Sequence, residues 1–421
     1  MHELMLLLPF VLTLLLTLAT VPILVWMERR IAGLIQHRPG PNRCNIGGFR
    51  LAGIIQSVAD MMKLVFKEER LPKHITNHLY FLMAPGLAFV AAFLSFMVIP
   101  FADDITISSY TYSIQALPVD LGILWILAFA GLGVYGIILG GWASHSKYAI
   151  LGAMRASAQV ISYEVAMGLS IVSMVLTYGS IDLNSMVVFQ SQTFLGFIPA
   201  WGIVIQPLAA IIFIVTAFAE TNRAPFDAAE GESEIVAGYH TEYGAMKFGL
   251  FFVAEYIAMA ASGALIVTML LGGYQLPWIG TQDLINHLDV VIMILLVVIP
   301  LFSVIFLRWM HKNNTLDASG IRETKVYTKI IIAKTVLFEL FLLYGLLTPL
   351  DVTSTAVGVM VLQIGIFTAK LFMLHFIFVW VRWTVLRFRY DQTLDLGWNI
   401  LLPLSIANVI VTAIVIVAFN L

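Results

Sequence analysis

The chain has 421 residues, 60% of them hydrophobic and 11% charged, with 23 Lys and Arg against 25 Asp and Glu. Too few polar side chains remain to surface water-soluble domains of this size, so composition excludes a soluble globular protein and places the chain in lipid. The single cysteine, Cys44, excludes a disulfide framework and any iron–sulfur cluster built within this chain, because such clusters need several thiolates.

A helix that crosses the hydrocarbon layer needs about 20 apolar residues, and ten such stretches follow one another: 4–26, 76–99, 119–142, 149–178, 195–220, 247–271, 287–309, 326–348, 355–381 and 398–420. Each is apolar all round rather than along one stripe. The predicted fold is therefore all-α, a polytopic transmembrane helical bundle of about ten spanning helices plus an interfacial amphipathic helix, forming one membrane domain over 1–421. The first stretch lacks Lys and Arg ahead of it and has Arg29 and Arg30 behind it, which fits a retained helix better than a signal peptide. Next comes His37-Arg38-Pro39-Gly40-Pro41-Asn42-Arg43, a turn made rigid by its prolines and glycine. Its arginines suit either a carbonyl-bearing ligand or lipid headgroups.

Residues 49–69 place Leu51, Ile54, Ile55, Val58, Met62, Val65 and Phe66 at helical spacing, with Asp60, Lys63, Lys67 and Glu68 between them. This pattern predicts an amphipathic helix lying at the interface, either roofing the mouth of a lipid-facing cavity or serving as a simple anchor. His74 and His78 lie one turn apart at a membrane edge, and no metal site is expected there.

Glu164 falls mid-span in Ser162-Tyr163-Glu164-Val165, and Glu255 about a third of the way into its span. A charge at the bilayer centre costs about 2.5–3.5 kcal/mol or more, so it is kept with a partner or a function. Together with Lys334, Glu339 and Lys370 these groups predict a proton wire or a cluster of ion pairs facing the bundle interior; His375 is the only histidine deep in a span. Segment 220–247 carries Glu220, Asp227, Glu230, Glu232, Glu234 and Glu242 against Arg223 and Lys247 alone. If 227–234 is helical, Asp227, Glu230 and Glu234 share one face. Like charges crowded beside apolar helices raise one another's pKa toward neutrality, which suits proton carriage; the alternative is a solvated acidic loop.

Of the 23 Lys and Arg, 21 fall in alternate loops, nine of them between Arg29 and Lys73. The positive-inside rule puts that side in the cytoplasm and both termini on the outer, periplasmic side.

Taken together, Met27-Glu28-Arg29-Arg30, Arg38-Pro39-Gly40-Pro41-Asn42, Ala59-Asp60-Met61-Met62-Lys63-Leu64, Ser162-Tyr163-Glu164-Val165, the long run from Ala219 through Asp227 and Glu234 to Glu242-Tyr243, Ala254-Glu255-Tyr256 and Arg387-Phe388-Arg389-Tyr390-Asp391-Gln392 resemble one family. It is the quinone-site membrane subunit of respiratory complex I, and the resemblance covers about 1–275 and 359–420. It implies a non-redox-cofactor subunit of a proton-translocating NADH:quinone oxidoreductase, inactive alone; the two-helix insertion described below points to a bacterial inner membrane. Quinone is then the substrate, no cofactor is bound by this chain, and the iron–sulfur clusters and FMN reside on partner subunits. The implied partners are the peripheral-arm quinone-site subunits, the neighbouring membrane-arm subunits and membrane lipid, with no nucleic acid. Carried over by motif, the acidic path comprises Glu164, Glu220, Asp227, Glu230, Glu232, Glu234 and Glu255, while Arg29, Arg38, Asp60 and Arg223 border the quinone chamber.

The chain departs from the family in two places. Members usually have eight spans, sometimes nine, so 1–282 reads as the family core, 283–352 as a two-helix insertion and 353–421 as the C-terminal helix pair. Leu386 stands where the family often has proline before the Arg-Phe-Arg block. A membrane subunit of an energy-converting hydrogenase shares the acidic loop, but the complete Arg38–Asn42 turn and the Arg387–Gln392 block favour the quinone enzyme. A secondary ion transporter would call for inverted repeats, and the sequence shows no such symmetry.

Overall fold

The computed structural model describes residues 2–47, 49–107, 110–194, 196–231, 236–313, 318–347 and 352–419. Among these, nine helices are long and apolar enough to cross a membrane. The chain opens with α1 (His2–Ile35), which runs well beyond the expected 26 and so carries Met27–Arg30 on its last turns. The amphipathic α2 (Ile54–Phe66) follows, exposing Ile54, Val58, Met62, Val65 and Phe66 along one side. Then come α3 (His78–Phe96), a small hairpin of β1 (Ile105–Ile107) and β2 (Tyr110–Tyr112), α4 (Gly122–Ala143) and α5 (Lys147–Tyr178). A short α6 (Leu183–Gln190) and a second hairpin, β3 (Thr193–Phe194) with β4 (Ile198–Pro199), lead to α7 (Gly202–Ile205) and α8 (Pro207–Glu220).

The stretch expected as one span over 195–220 is thus a hairpin end, one helical turn and a 14-residue helix. Pro207 has no N–H to continue a helix through Gln206, and it starts α8 instead. The Gln206 side chain fills the break, its Nε2 donating to Thr177 Oγ1 at 2.9 Å and Thr412 Oγ1 at 3.1 Å.

After α8 the chain forms the long acidic connection and then α9 (Ala245–Leu270), α10 (Thr281–Asn286), α11 (Leu288–Asn313), α12 (Ala318–Leu347), α13 (Val352–Thr384), α14 (Tyr390–Asp395) and α15 (Leu402–Phe419). α9 is the central post. It packs on α1, α2, α3, α8 and α13, and 67% of its most apolar window is buried. In α11 and α12 the corresponding share is 6%, so these two helices stand beside the bundle as a hairpin. A small apolar cluster of Leu284, Leu288, Ile292, Leu342 and Val359 ties the hairpin to α10 and α13.

The intramembrane charges do not form a single set. Lys370 on α13 donates to the carbonyls of Leu271, Gly273 and Gln275 at 2.7, 2.9 and 2.6 Å, so it caps the C-terminal end of α9 and takes backbone oxygens rather than carboxylates as partners. A lysine at a helix end satisfies carbonyls that have no partner within the helix. Lys334 and Glu339 lie on α12, in the outlying hairpin.

Candidate functional site

Because α1 extends past the apolar stretch, Glu28 is delivered to the end of the bundle where α8, α9 and α13 meet. Its carboxylate takes Arg382 Nη1 at 2.5 Å and the Tyr256 hydroxyl at 2.5 Å, with Arg223 Nη1 at 3.5 Å. Arg223 is buried and spans two acids: its Nη2 lies 3.5 Å from Glu255 Oε2, and its guanidinium sits 4.2 Å above the Tyr256 ring. A planar guanidinium serves both roles at once, stacking on the aromatic face while its edge faces carboxylates. Glu255 Oε1 accepts the Tyr239 hydroxyl at 2.8 Å, and the Glu230 and Glu255 carboxyls meet within hydrogen-bonding reach. Beyond Glu230 come His240 Nε2 at 3.2 Å and, through the Glu230 N–H at 3.3 Å, the Asp227 carboxylate.

The connecting loop reaches this position by tight backbone packing. Gly238 has φ +65°, and a Cβ there would run into the Ala229 carbonyl oxygen; on its other side a Cβ on Gly152 of α5 would lie 2.8 Å from Gly238 Cα. Gln159 of α5 then staples the loop, its Nε2 donating to the Ala219 and Phe226 carbonyls at 2.9 and 2.7 Å. Residues 227–231 form a turn rather than a helix, with Asp227 accepting the N–H of Glu230. Glu232 and Glu234 lie outside the described residues.

Two of these loop acids are displaced in opposite directions. Burial pushes Asp227 up to about 6, helped by the charge of Glu230 and opposed by Arg387 and Arg382. Burial also works against a charge on Glu230, but the bond and charge of His240 prevail and hold it below the usual carboxylate range. One acid is thus poised near neutrality beside one that stays ionised.

A cavity of about 110 Å³ lies inside the bundle, lined mostly by apolar side chains of α3, α4, α5, α8 and α9, with Glu220, Asn222, Tyr239 and Glu255 on its wall. Such a volume has room for several waters. Glu220 ends α8, and the negative charge acting on it is that of Glu164. Gly131 of α4 makes the space for Glu164, since a Cβ there would sit 3.2 Å from its Oε1.

A second cavity, about 350 Å³, opens among Arg29, Arg38, Gly40, Pro41, Asn42, Arg43 and Gln56. Arg29 Nη2 is 2.6 Å from Asp60 Oδ2 on α2, and Arg38 Nε donates to Gln36 at 2.6 Å. The close approach of the turn to α1 requires glycine at position 33, where a Cβ would be 2.9 Å from Gly40 Cα, while Gly40 itself takes a left-handed φ of +70°. Arg29, Arg38 and Asp60 therefore gather at this cavity, whereas Arg223 belongs to the buried cluster. Glu28, Tyr239, His240, Tyr256 and Arg382 join that cluster, although the sequence pattern does not single them out. Glu28, Tyr239, His240 and Tyr256 lie within the family-like motif blocks, but linear order does not reveal that they touch. Among the described residues no group of His, Cys, Asp and Glu could hold a metal ion; His74 lies 3.7 Å from Glu242.

A family model described as NADH dehydrogenase matches residues 8–319 and 319–413. A protein of Bdellovibrio bacteriovorus, named as a subunit of NADH-quinone oxidoreductase, is 36% identical over 416 residues, covering 94% of this chain and 92% of the relative. The Rhodothermus marinus NADH-quinone oxidoreductase subunit 8 is 37% identical over 403 residues, covering 96% and 94%. A Geobacter metallireducens protein, also named as a subunit of NADH-quinone oxidoreductase, is 37% identical over 389 residues, covering 92% and 89%.

Proposed function

This chain belongs to the NADH dehydrogenase family as a membrane subunit of complex I, and from that premise we propose that it walls the quinone chamber and carries the acidic path that couples quinone reduction to proton pumping. The observation that supports this reading is the unbroken line of charge Glu28–Arg223–Glu255–Glu230–Asp227, which links the end of the bundle beside the cationic turn to the Glu255 and Glu220 wall of the inner cavity.

Reducing a quinone to a quinol takes two electrons and two protons. Iron–sulfur clusters and FMN on the peripheral-arm subunits would supply the electrons from NADH, and this chain's residues would supply the quinone's surroundings and its protons. Arg29, Arg38 and Asp60 border the chamber mouth, with Arg38 offering its guanidinium to the quinone carbonyls. Arg223 borders the inner side, where its buried charge responds to any change on Glu28 or Glu255. When nearby donors give up protons, the lost positive or gained negative charge alters the proton affinity of Asp227, Glu230 and Glu255 in turn. Glu220 and Glu164 continue the path across the inner cavity, and Glu232 and Glu234 belong to its loop end. A continuous wire is not required for such coupling.

The protein works only within the assembled complex, in the bacterial plasma membrane, with its basic end cytoplasmic and both termini periplasmic. Residues 1–282 and 353–421 form the working core, and 283–352 is an addition to it.

The test uses the purified complex in liposomes. Glu255→Gln should depress inhibitor-sensitive quinone reduction and proton pumping together, by about tenfold or more, with assembly intact. Arg38→Ala should chiefly weaken quinone and inhibitor affinity. Unchanged pumping in the first and an unchanged inhibitor response in the second would overturn the reading.

A further inference from the structure

Residues 51–53 form an improbable piece of backbone. Leu51, Ala52 and Gly53 have φ of +45°, +54° and +94°, three consecutive residues in the left-handed region, of which only the last is glycine. Side-chain-bearing residues remain there only when their surroundings hold them. This kink starts α2, the helix that brings Gln56 to the lip of the cationic cavity and Asp60 to Arg29.

Three outside contacts hold the kink. Trp26 Nε1 of α1 donates to the Ala52 carbonyl at 2.9 Å, and Gly53 presses so closely on Pro41 that a Cβ would lie 2.5 Å from its carbonyl oxygen. The third contact comes from the outlying hairpin. Glu323 on α12 is 8% exposed, and its Oε1 accepts the Arg50 backbone N–H at 2.9 Å while standing 3.4 Å from Arg50 Nε. One turn further along α12, Tyr327 faces Ala52. The hairpin is thus fixed at two ends, by its apolar cluster with α10 and α13 and by Glu323 on the kink.

We propose that Glu323 is a positioning residue for quinone entry, through which the α11–α12 hairpin holds the 50–53 kink and so sets the place of α2 at the chamber mouth. The proposal rests on the chamber reading of the Arg29–Arg38 cavity. Glu323 touches no quinone. It supplies the carboxylate that keeps Arg50 in place, and it closes from outside a turn that Trp26 and Pro41 hold from inside. A burial as complete as that of Glu323 is sustained only with such a partner.

The experiment compares Glu323→Ala, Glu323→Gln and Glu323→Asp in the assembled complex. A long-tailed isoprenoid quinone and a tail-less quinone of the same headgroup serve as acceptors, and Arg38→Ala is the reference. NADH oxidation by an artificial acceptor upstream of the quinone site reports assembly. Glu323→Ala should raise KM for the long-tailed quinone about tenfold at little-changed kcat, as expected if one hydrogen bond to a charged group is lost entirely from apparent affinity. The tail-less quinone should change less. Glu323→Gln retains an oxygen for the Arg50 N–H and should restore KM to within about twofold of the wild type. Should the alanine variant fail to assemble, Glu323→Asp, with a carboxylate withdrawn by one methylene, should raise the same KM by about threefold. An unchanged long-tail KM in the Glu323 variants, with Arg38→Ala still raising it, overturns the positioning role alone. An unchanged KM in Arg38→Ala as well overturns it together with the chamber reading.

Discussion

Arg223 is the buried cation on which the acids of this chain converge. With Glu28 on one edge, Glu255 on the other and Tyr256 beneath, it offsets desolvation that no single ion pair would repay. Asp227 lies at the far end of the same line, pushed up to about 6 by burial and by Glu230. A carboxyl raised in the fold favours the fold while protonated, and its contribution is lost as pH rises through the folded value. Asp227→Asn removes that dependence. The variant should therefore gain stability over the wild type as pH climbs from about 4 to about 6 and hold the gain above, by at most about 3 kcal/mol. Thermal unfolding in detergent across that range checks it; a gain that shrinks with rising pH would contradict the assignment.

At the scale of elements, the acidic connection is shaped by close backbone contact more than by helix propensity. Gly238 is the contact through which Tyr239 and His240 reach Glu255 and Glu230. Gly238→Val forces a branched side chain into a left-handed position against the Ala229 carbonyl, a strain of about 1–3 kcal/mol before the collision is counted. Quinone reduction should fall severely in that variant. Gly244→Ala, at a position with nothing within 4 Å and an ordinary extended φ, should leave it near the wild type. Equal losses in both would show that the loop does not depend on this approach. The break at Gln206–Pro207 is a second local decision, made by the missing proline N–H and sealed by the Gln206 side chain between α5 and α15.

On the scale of the whole molecule, the bundle is organised around α9, and the α11–α12 hairpin stands at its side as two helices long and apolar enough to cross. A pair of spans leaves the direction of everything after it unchanged. Deleting 283–352 should therefore leave a C-terminal reporter on the same side of the membrane as in the full chain, and the Arg387–Gln392 block on the basic side. A reporter that switches sides would show that the hairpin does not cross as a pair. This readout is independent of quinone chemistry, so it separates topology from the positioning role of Glu323.

Much of this was legible in the sequence: nine of the ten expected spans are long apolar helices, the interfacial helix lies within its predicted stretch, and the motif blocks lead to the family that the comparisons show. Lipid makes these features legible, because a spanning segment must satisfy its backbone internally and so announces itself by length and apolarity alone. Which charges touch was decided only by tertiary structure. Glu28 and Arg223 are 195 residues apart and Arg50 and Glu323 are 273 apart, and no local periodicity reports such pairs. The sequence by itself determined the solvent, the fold class and the inventory of buried charge. The packing of α1, α9 and α13 determined that Glu28 and Arg223 belong to one cluster and Lys370 to another, because desolvated charges are stable only beside partners that the fold brings to them.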